Sequence, residues 1–176
     1  MVVGLCLCLL VIPPDRVLSS DTYDYQVFLP LITYEKRYSF FVAGHTYGQP
    51  GAEFSGPHPP FRALFPQIND RHPDFGVFTG DIVPESVPAD WDMVDVALAE
   101  LASPVHFVAG NHDMTNRSLF VSRYGPTYYS FTYEGDLFIV LDGGLDSCNI
   151  LGEQMAFLQQ ALDESDAQNV FVFVHE

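Results

Sequence analysis

Four residues able to bind a metal each stand directly behind a short apolar run in this chain of 176 residues. Phe41-Val42-Ala43-Gly44 runs into His45, and Val77-Phe78-Thr79-Gly80 runs into Asp81. Phe107-Val108-Ala109-Gly110 runs into Asn111, and Phe171-Val172-Phe173-Val174 runs into His175. Imidazole nitrogen and carboxylate oxygen suit Zn, Fe and Mn, and a carboxylate can bridge two ions; an Asn carbonyl is a weaker, neutral ligand. Two ions side by side clamp a phosphate and lower the pKa of a shared water, so that hydroxide is available near neutral pH. The leaving oxygen still needs a proton, and His112, next to Asn111, is placed to give it. Asp113 is placed to orient His112 or to hold a loop. Taken singly, a Gly-Asp behind a strand is a turn, an Asn-His-Asp triplet is a polar loop, and a strand-end His is a core residue. Four such endings in one order point instead to a site.

Delivering these side chains to one place requires parallel strands that end together, since open α/β folds carry their sites at that edge. Gly before three of the four residues lets the backbone turn sharply there. Between the runs lie helical patterns. Phe61, Leu64, Phe65 and Ile68 fall on one helix face. Pro88 suits a first helical turn, and Trp91, Val94, Leu98 and Leu101 form a stripe behind it. Thr115 or Asn116 can cap a helix reaching Tyr124, ended by Gly125-Pro126. Residues 128–133 and 137–142 read as a hairpin about Gly135-Asp136. Residues 152–162 read as a helix with Met155, Leu158 and Leu162 inward. The alternation predicts an α/β fold with parallel pairing and one antiparallel hairpin. The stretch 48–60, rich in Gly and Pro, is a loop.

The chain carries 23 Asp and Glu against 7 Lys and Arg, a net charge of −16. No cluster of Lys and Arg offers a groove for a nucleic-acid backbone, and the acidity reads as a solvated surface. Residues 2–12 are continuously apolar, too short to span a bilayer as a helix but of the length of a signal-peptide core. The chain therefore reads as exported, secreted or extracytoplasmic; since no Lys or Arg precedes the run, an uncleaved or buried N-terminal segment is the alternative. Residues 1–20 are thus a signal-like segment, 21–37 a lead-in, and 38–176 the folded domain. Cys6 and Cys8 would leave with the leader, which excludes a disulfide framework and a cysteine zinc site. Cys148 reads as a semi-buried bystander. His58, His72 and His106 read as ordinary loop or strand histidines, and Asp142 as the start of a turn at Gly143-Gly144.

Thr79-Gly80-Asp81, then Ala109-Gly110-Asn111-His112-Asp113, then a strand ending in His175, resemble the calcineurin-like metallophosphoesterase superfamily. The stretches 128–131, 138–142 and 152–154 are similar to many of its bacterial members. The resemblance covers roughly 38–176. It implies a two-sheet sandwich flanked by helices, an α-β-β-α fold, with two divalent or trivalent metal ions (Mn, Fe or Zn) and a small phosphate-ester substrate. It implies that Asp81 bridges the metals, that Asn111 and His175 bind the second, and that His112 protonates the leaving group. A metal-activated hydroxide would attack phosphorus. The first motif departs from the family's Asp-x-His: either His45 fills the Asp slot and Tyr47 the His slot, or His45 fills the His slot and Ala43 stands where Asp belongs. Pro84 stands where purple acid phosphatases carry an iron-ligating Tyr, which argues against that branch. The family's Gly-His-x-His element is not found before Glu176, so the chain reads as C-terminally truncated, with little activity expected of it alone and a strand at 170–174 short of neighbours. A non-catalytic metal- or protein-binding module on the same fold is the alternative.

Overall fold

Each apolar run is four to six residues long and is set off by Gly, Pro or a polar turn, the pattern of buried strands. The computed structural model describes residues 38–48 and 56–175, which fall in one compact unit, Lys36–Glu176. The signal-like segment, the lead-in, most of the 48–60 loop and Glu176 lie outside the described residues. Strands β1 (Phe40–Ala43), β2 (Phe75–Thr79) and β3 (Val105–Val108) form a parallel sheet in that order. Phe40 lies opposite Phe75, and Gly76 opposite Val105. In the second sheet β4 (Tyr129–Tyr133) pairs antiparallel with β5 (Asp136–Asp142), and β5 pairs in parallel with β6 (Val170–His175). Parallel neighbours need crossovers: α3 (Pro88–Leu98) joins β2 to β3, and α5 (Gly152–Asp163) joins β5 to β6.

The two sheets share an aromatic layer. Phe75, Val77, Val108, Phe138 and Val140 are buried between them, with Phe40, Phe131 and Phe173 packed alongside. The outer face of the first sheet is covered by α3 and by α4 (Arg117–Tyr124), through Trp91, Val94, Ala97 and Phe120. The outer face of β5 is covered by α5, through Phe157, Leu158 and Ala161. The order of layers is therefore helix, sheet, sheet, helix. Trp91 is fully buried, which contributes about 2 to 3 kcal/mol, and its Nε1–H donates to Ser86 Oγ at 2.9 Å. Asn116 caps α4 by accepting from the Leu119 N–H at 3.2 Å, and Gly125, at φ 89°, ends it. On β6, Val170, Val172 and Val174 face outward and stay exposed, because α5 covers β5 and stops short of the next strand.

Several local expectations are corrected. The helix expected across 61–68 is two short ones, α1 (Pro59–Arg62) and α2 (Phe65–Asn69). Pro66 has no N–H to give the carbonyl of Arg62, and its ring opposes that carbonyl, so the helix restarts. The hairpin turns at Glu134 and Gly135, not Gly135 and Asp136, with φ of 48° and 80°; paired positive φ values mark the tight turn that matches strand twist. On α5, Gln154 is buried and Leu162 exposed. The Gln154 amide accepts from the Asp142 N–H at 2.6 Å and donates to the Asp142 carbonyl at 3.1 Å. That anchor turns 154, 157, 158 and 161 inward in place of 155, 158 and 162. Cys148 is exposed, not semi-buried; it lies in a loop where Ser147 and Cys148 both have positive φ. Among the described residues no helix is long and apolar enough to cross a membrane.

His106, on β3, stacks on Phe131 with ring centroids 3.8 Å apart. Burial, which disfavours the charged ring, holds its pKa below the ordinary value of 6.5. Below pH 6.5 the unfolded chain therefore binds more protons than the folded one, and stability falls as the solution is acidified. Melting curves of wild type and His106→Phe between pH 5 and pH 8 should diverge on the acid side, with wild type losing stability more steeply as the pH falls.

Candidate metal centre

The strand ends are held closer than side chains would allow. A Cβ on Gly44 would stand 2.4 Å from Thr79 Oγ1, one on Gly80 2.4 Å from His175 Nδ1, and one on Gly110 2.2 Å from the Asp81 backbone nitrogen. Glycine at these places lets β1, β2, β3 and β6 converge. The residues just past the first two glycines take left-handed backbone: φ is 54° at His45 and 55° at Asp81. Each such conformation in a non-glycine residue costs on the order of 1 kcal/mol and is characteristic of functional sites. The His45 N–H donates to the Gly80 carbonyl at 2.9 Å, tying the two turns together. Gly110→Ala would push a methyl into the Asp81 turn. The expected cost is about 1 to 3 kcal/mol, read as a lower melting temperature, together with loss of any metal bound at Asp81.

Asp81, 5% exposed, is the centre of the cluster. His45 Nδ1 stands 3.1 Å from its Oδ2 and His175 Nε2 stands 3.4 Å from its Oδ1. The backbone N–H of His112 donates to Oδ1 at 3.3 Å. One carboxylate thus lies between two imidazoles. The tautomer of His175 follows from its other nitrogen: Nδ1 is 2.7 Å from the Thr79 carbonyl, which only accepts, so Nδ1 carries the hydrogen. In the neutral ring, Nε2 then turns a lone pair toward a carboxylate oxygen. Two acceptors face each other in this way when a proton or a metal cation lies between them, and the donor set fits such a cation. Among the described residues, no group of three His, Cys, Asp or Glu side chains is gathered closely enough to hold a metal by itself. Thr46, between His45 and Tyr47, has a buried hydroxyl with no hydrogen-bond partner.

His112 is fixed in the same way. Nδ1 is 2.8 Å from the Pro84 carbonyl and so donates to it, which leaves Nε2 to work with. Tyr47, 1% exposed, reaches that atom: its hydroxyl lies 3.3 Å from Nε2, and its ring contacts those of His45 and His112 at 4.5 and 5.1 Å. Burial, then the charges of Asp81 and Asp113, raises the Tyr47 pKa above its ordinary value, so the phenol stays protonated and donates.

Asp113 does not touch the His112 ring. It is fully buried, and Oδ1 accepts the N–H groups of Ile82 and Val83 at 2.8 and 3.1 Å while Oδ2 accepts that of Gly110 at 2.9 Å. Burial pushes its pKa up to about 6, against those three N–H groups, which lower it. Of the two roles open to it, its contacts are those of a loop clamp; a catalytic role by direct contact with His112 is not what the geometry provides. Asn111 is exposed in the turn after Gly110, and the structure does not bring its side chain onto Asp81. His45 rather than Ala43 enters the cluster, since Ala43 packs outward against the helix layer. Asp142 does turn the chain, accepting the Gly144 N–H at 2.9 Å. It is also fully buried and paired with Arg117, a partner that no local pattern announces.

Residues 54–176 match the family model of the calcineurin-like phosphoesterases. Over 119 residues the chain is 27% identical to a protein of Synechococcus named a probable cyclic nucleotide phosphodiesterase, a match covering 64% of this chain and 46% of that protein. The chain thus spans a little under half the length of that relative. A crystal structure of a dimetal phosphatase from Danio rerio superposes with a TM-score of 0.42 at 18% identity, over 60% of this chain and 44% of that one.

Proposed function

This chain belongs to the calcineurin-like phosphoesterase family, and from that premise we propose that it is the metal-dependent part of a hydrolase of phosphoric esters. The observation that carries the reading is the Asp81 carboxylate with one imidazole on each oxygen. His45, Asp81 and His175 would hold the metal, with Asn111 joining them from the exposed turn behind Gly110. Bound there, divalent or trivalent ions would neutralise the phosphoryl oxygens and make a water molecule acidic enough to attack near neutral pH.

The remaining steps belong to the chain. The Pro84 carbonyl fixes His112 with its Nδ1 hydrogen inward, so Nε2 is the atom that takes up a proton and passes it to the leaving oxygen. Tyr47 holds Nε2 on the site side. Asp113 clamps the backbone on which Asp81 and His112 both ride. The substrate class is a small phosphoric ester, and the resemblance to a cyclic nucleotide phosphodiesterase favours diesters. The test is hydrolysis of bis(p-nitrophenyl) phosphate and p-nitrophenyl phosphate with added Mn or Zn. Metal-dependent turnover lost in His112→Ala is expected, and turnover indifferent to chelator or to that substitution would sink the mechanism.

One observation favours a second reading, a non-catalytic metal- or protein-binding module: no group of three described His, Cys, Asp or Glu side chains is gathered for a metal. Metal analysis of the purified chain separates the two, since two bound ions argue for the hydrolase, and none, or one weakly held, for the module.

A further inference from the structure

A fixed guanidinium stands beside this site with part of its hydrogen-bonding capacity unused. Arg117, the first residue of α4, pairs through Nη1 with Asp142 Oδ2. Its Nη1 also donates to Thr127 Oγ1 at 3.3 Å, and its Nη2 reaches Asp142 Oδ1 at 3.5 Å. Both Nη1 hydrogens and one Nη2 hydrogen are thereby taken. The second Nη2 hydrogen and Nε–H have no acceptor among the described residues. These two lie on the same side of the planar group and form a second fork of the geometry that takes two oxygens of a phosphate or carboxylate. The pair is held rigidly, because Asp142 is fully buried while 36% of the Arg117 side chain reaches solvent.

Its place in the fold ties it to the metal centre. Asp142 lies opposite His175 in the β5–β6 register. Side chains of register partners in a parallel pair point to the same face, about 5 Å apart, so Asp142 and His175 are side by side at the sheet edge. His175 in turn faces Asp81. Gly144 passes close to the pair: a Cβ there would stand 3.3 Å from Asp142 Oδ1 and 3.6 Å from Arg117 Nη2. Gly144 has no positive φ that would call for glycine. Of the other described arginines, Arg62 pairs with Glu100 and Arg123 with Asp92 and Asp95. Arg71 precedes β2, at the far end of the strand from the site.

We propose that Arg117 is a specificity-determining residue that takes a second anionic group of the substrate, a phosphate or a carboxylate, one strand spacing away from the reacting ester. The proposal rests on the phosphoesterase reading for the word substrate, but not for the anion site itself. A guanidinium placed this way in a chain of net charge −16 also offsets the repulsion that a doubly anionic ligand would meet.

The test measures binding in metal-free buffer by calorimetric titration. The probes are methylphosphonate, with one anionic group, and methylenebisphosphonate and phosphonoacetate, which add a phosphonate or a carboxylate. Wild type is expected to prefer a doubly anionic probe by about tenfold, and the better of the two identifies the group. The paired variant Arg117→Gln with Asp142→Asn replaces the ion pair by two amides and leaves no lone buried carboxylate; it should bring the preference below about twofold. Arg117→Lys keeps the charge without the fork and reads the same loss if the paired variant does not fold. No preference in wild type, or one unchanged in the variants, overturns the proposal. Hydrolysis of the chromogenic diester is scored separately. A chain that hydrolyses it without an Arg117-dependent preference refutes the anion site alone, and a chain that keeps the preference without hydrolysis refutes the phosphoesterase reading alone.

Discussion

Asp81→Asn is expected to leave the fold standing and remove the metal. The substitution conserves shape, and its amide nitrogen can donate to the lone pair that His175 Nε2 turns toward Oδ1 at 3.4 Å, at the cost of the long 3.3 Å bond that Oδ1 accepts from the His112 N–H. The backbone conformation at this position, φ 55°, is one that Asn tolerates as well as Asp. Stability should therefore change by no more than about 1 kcal/mol. Among the described residues, the lost charge is the one carboxylate in contact with both His45 and His175. Activity should fall by about a thousandfold, equivalent to ~4 kcal/mol of transition-state stabilisation. Metal content by mass spectrometry and melting temperature are measured on the same preparation. Bound metal at the wild-type level, or turnover within about tenfold of wild type, would remove Asp81 from the centre of the site.

What could be read without coordinates was whatever depended on neighbours in sequence. The strand endings at Asp81 and Asn111 were legible because an apolar run and a glycine announce a strand and a close approach within five residues. The helix start at Pro88 and the cap at Asn116 were legible for the same reason. Pairs distant in sequence were not. Tyr47 meets His112 because β1 and β3 of one sheet end at the same edge, and Arg117 of α4 meets Asp142 at the end of β5 in the other sheet; no local pattern encodes which side chains then touch. Gln154 was illegible in another way. A polar residue inside a helical stripe looks like solvent-facing surface, yet here it completes the hydrogen bonding of the Asp142 backbone and turns the whole helix. Pro66 and Glu134 show the limits of local rules themselves. Hydrophobic spacing argued for one helix while proline broke it, and the turn took a glutamate at positive φ where Gly-Asp looked the better pair.

Asp113 gives the sharpest contrast between a catalytic and a structural carboxylate. Asp113→Ala would leave the N–H groups of Gly110, Ile82 and Val83 without the acceptor they now share. Each buried donor so orphaned costs about 1 to 3 kcal/mol, so a loss of at least ~3 kcal/mol is expected, about 6 to 12 °C in melting temperature for a chain of this size. Asp113→Asn is the milder test. Its oxygen can still accept from Ile82 and Val83, while its amide hydrogens confront the Gly110 N–H, so about a third to a half of the loss should remain. Activity should fall in step with stability in both variants, since Asp81 and His112 ride on the backbone that Asp113 clamps. A carboxylate that instead oriented the His112 ring directly would behave otherwise: Asp113→Asn would then shift the pH profile of turnover and leave the melting temperature alone. The Pro84 carbonyl already occupies His112 Nδ1 at 2.8 Å, the nitrogen that an orienting carboxylate would take, and both Asp113 oxygens are engaged by backbone N–H groups. An Asp113→Asn chain that melts with wild type but turns over slowly would refute the clamp.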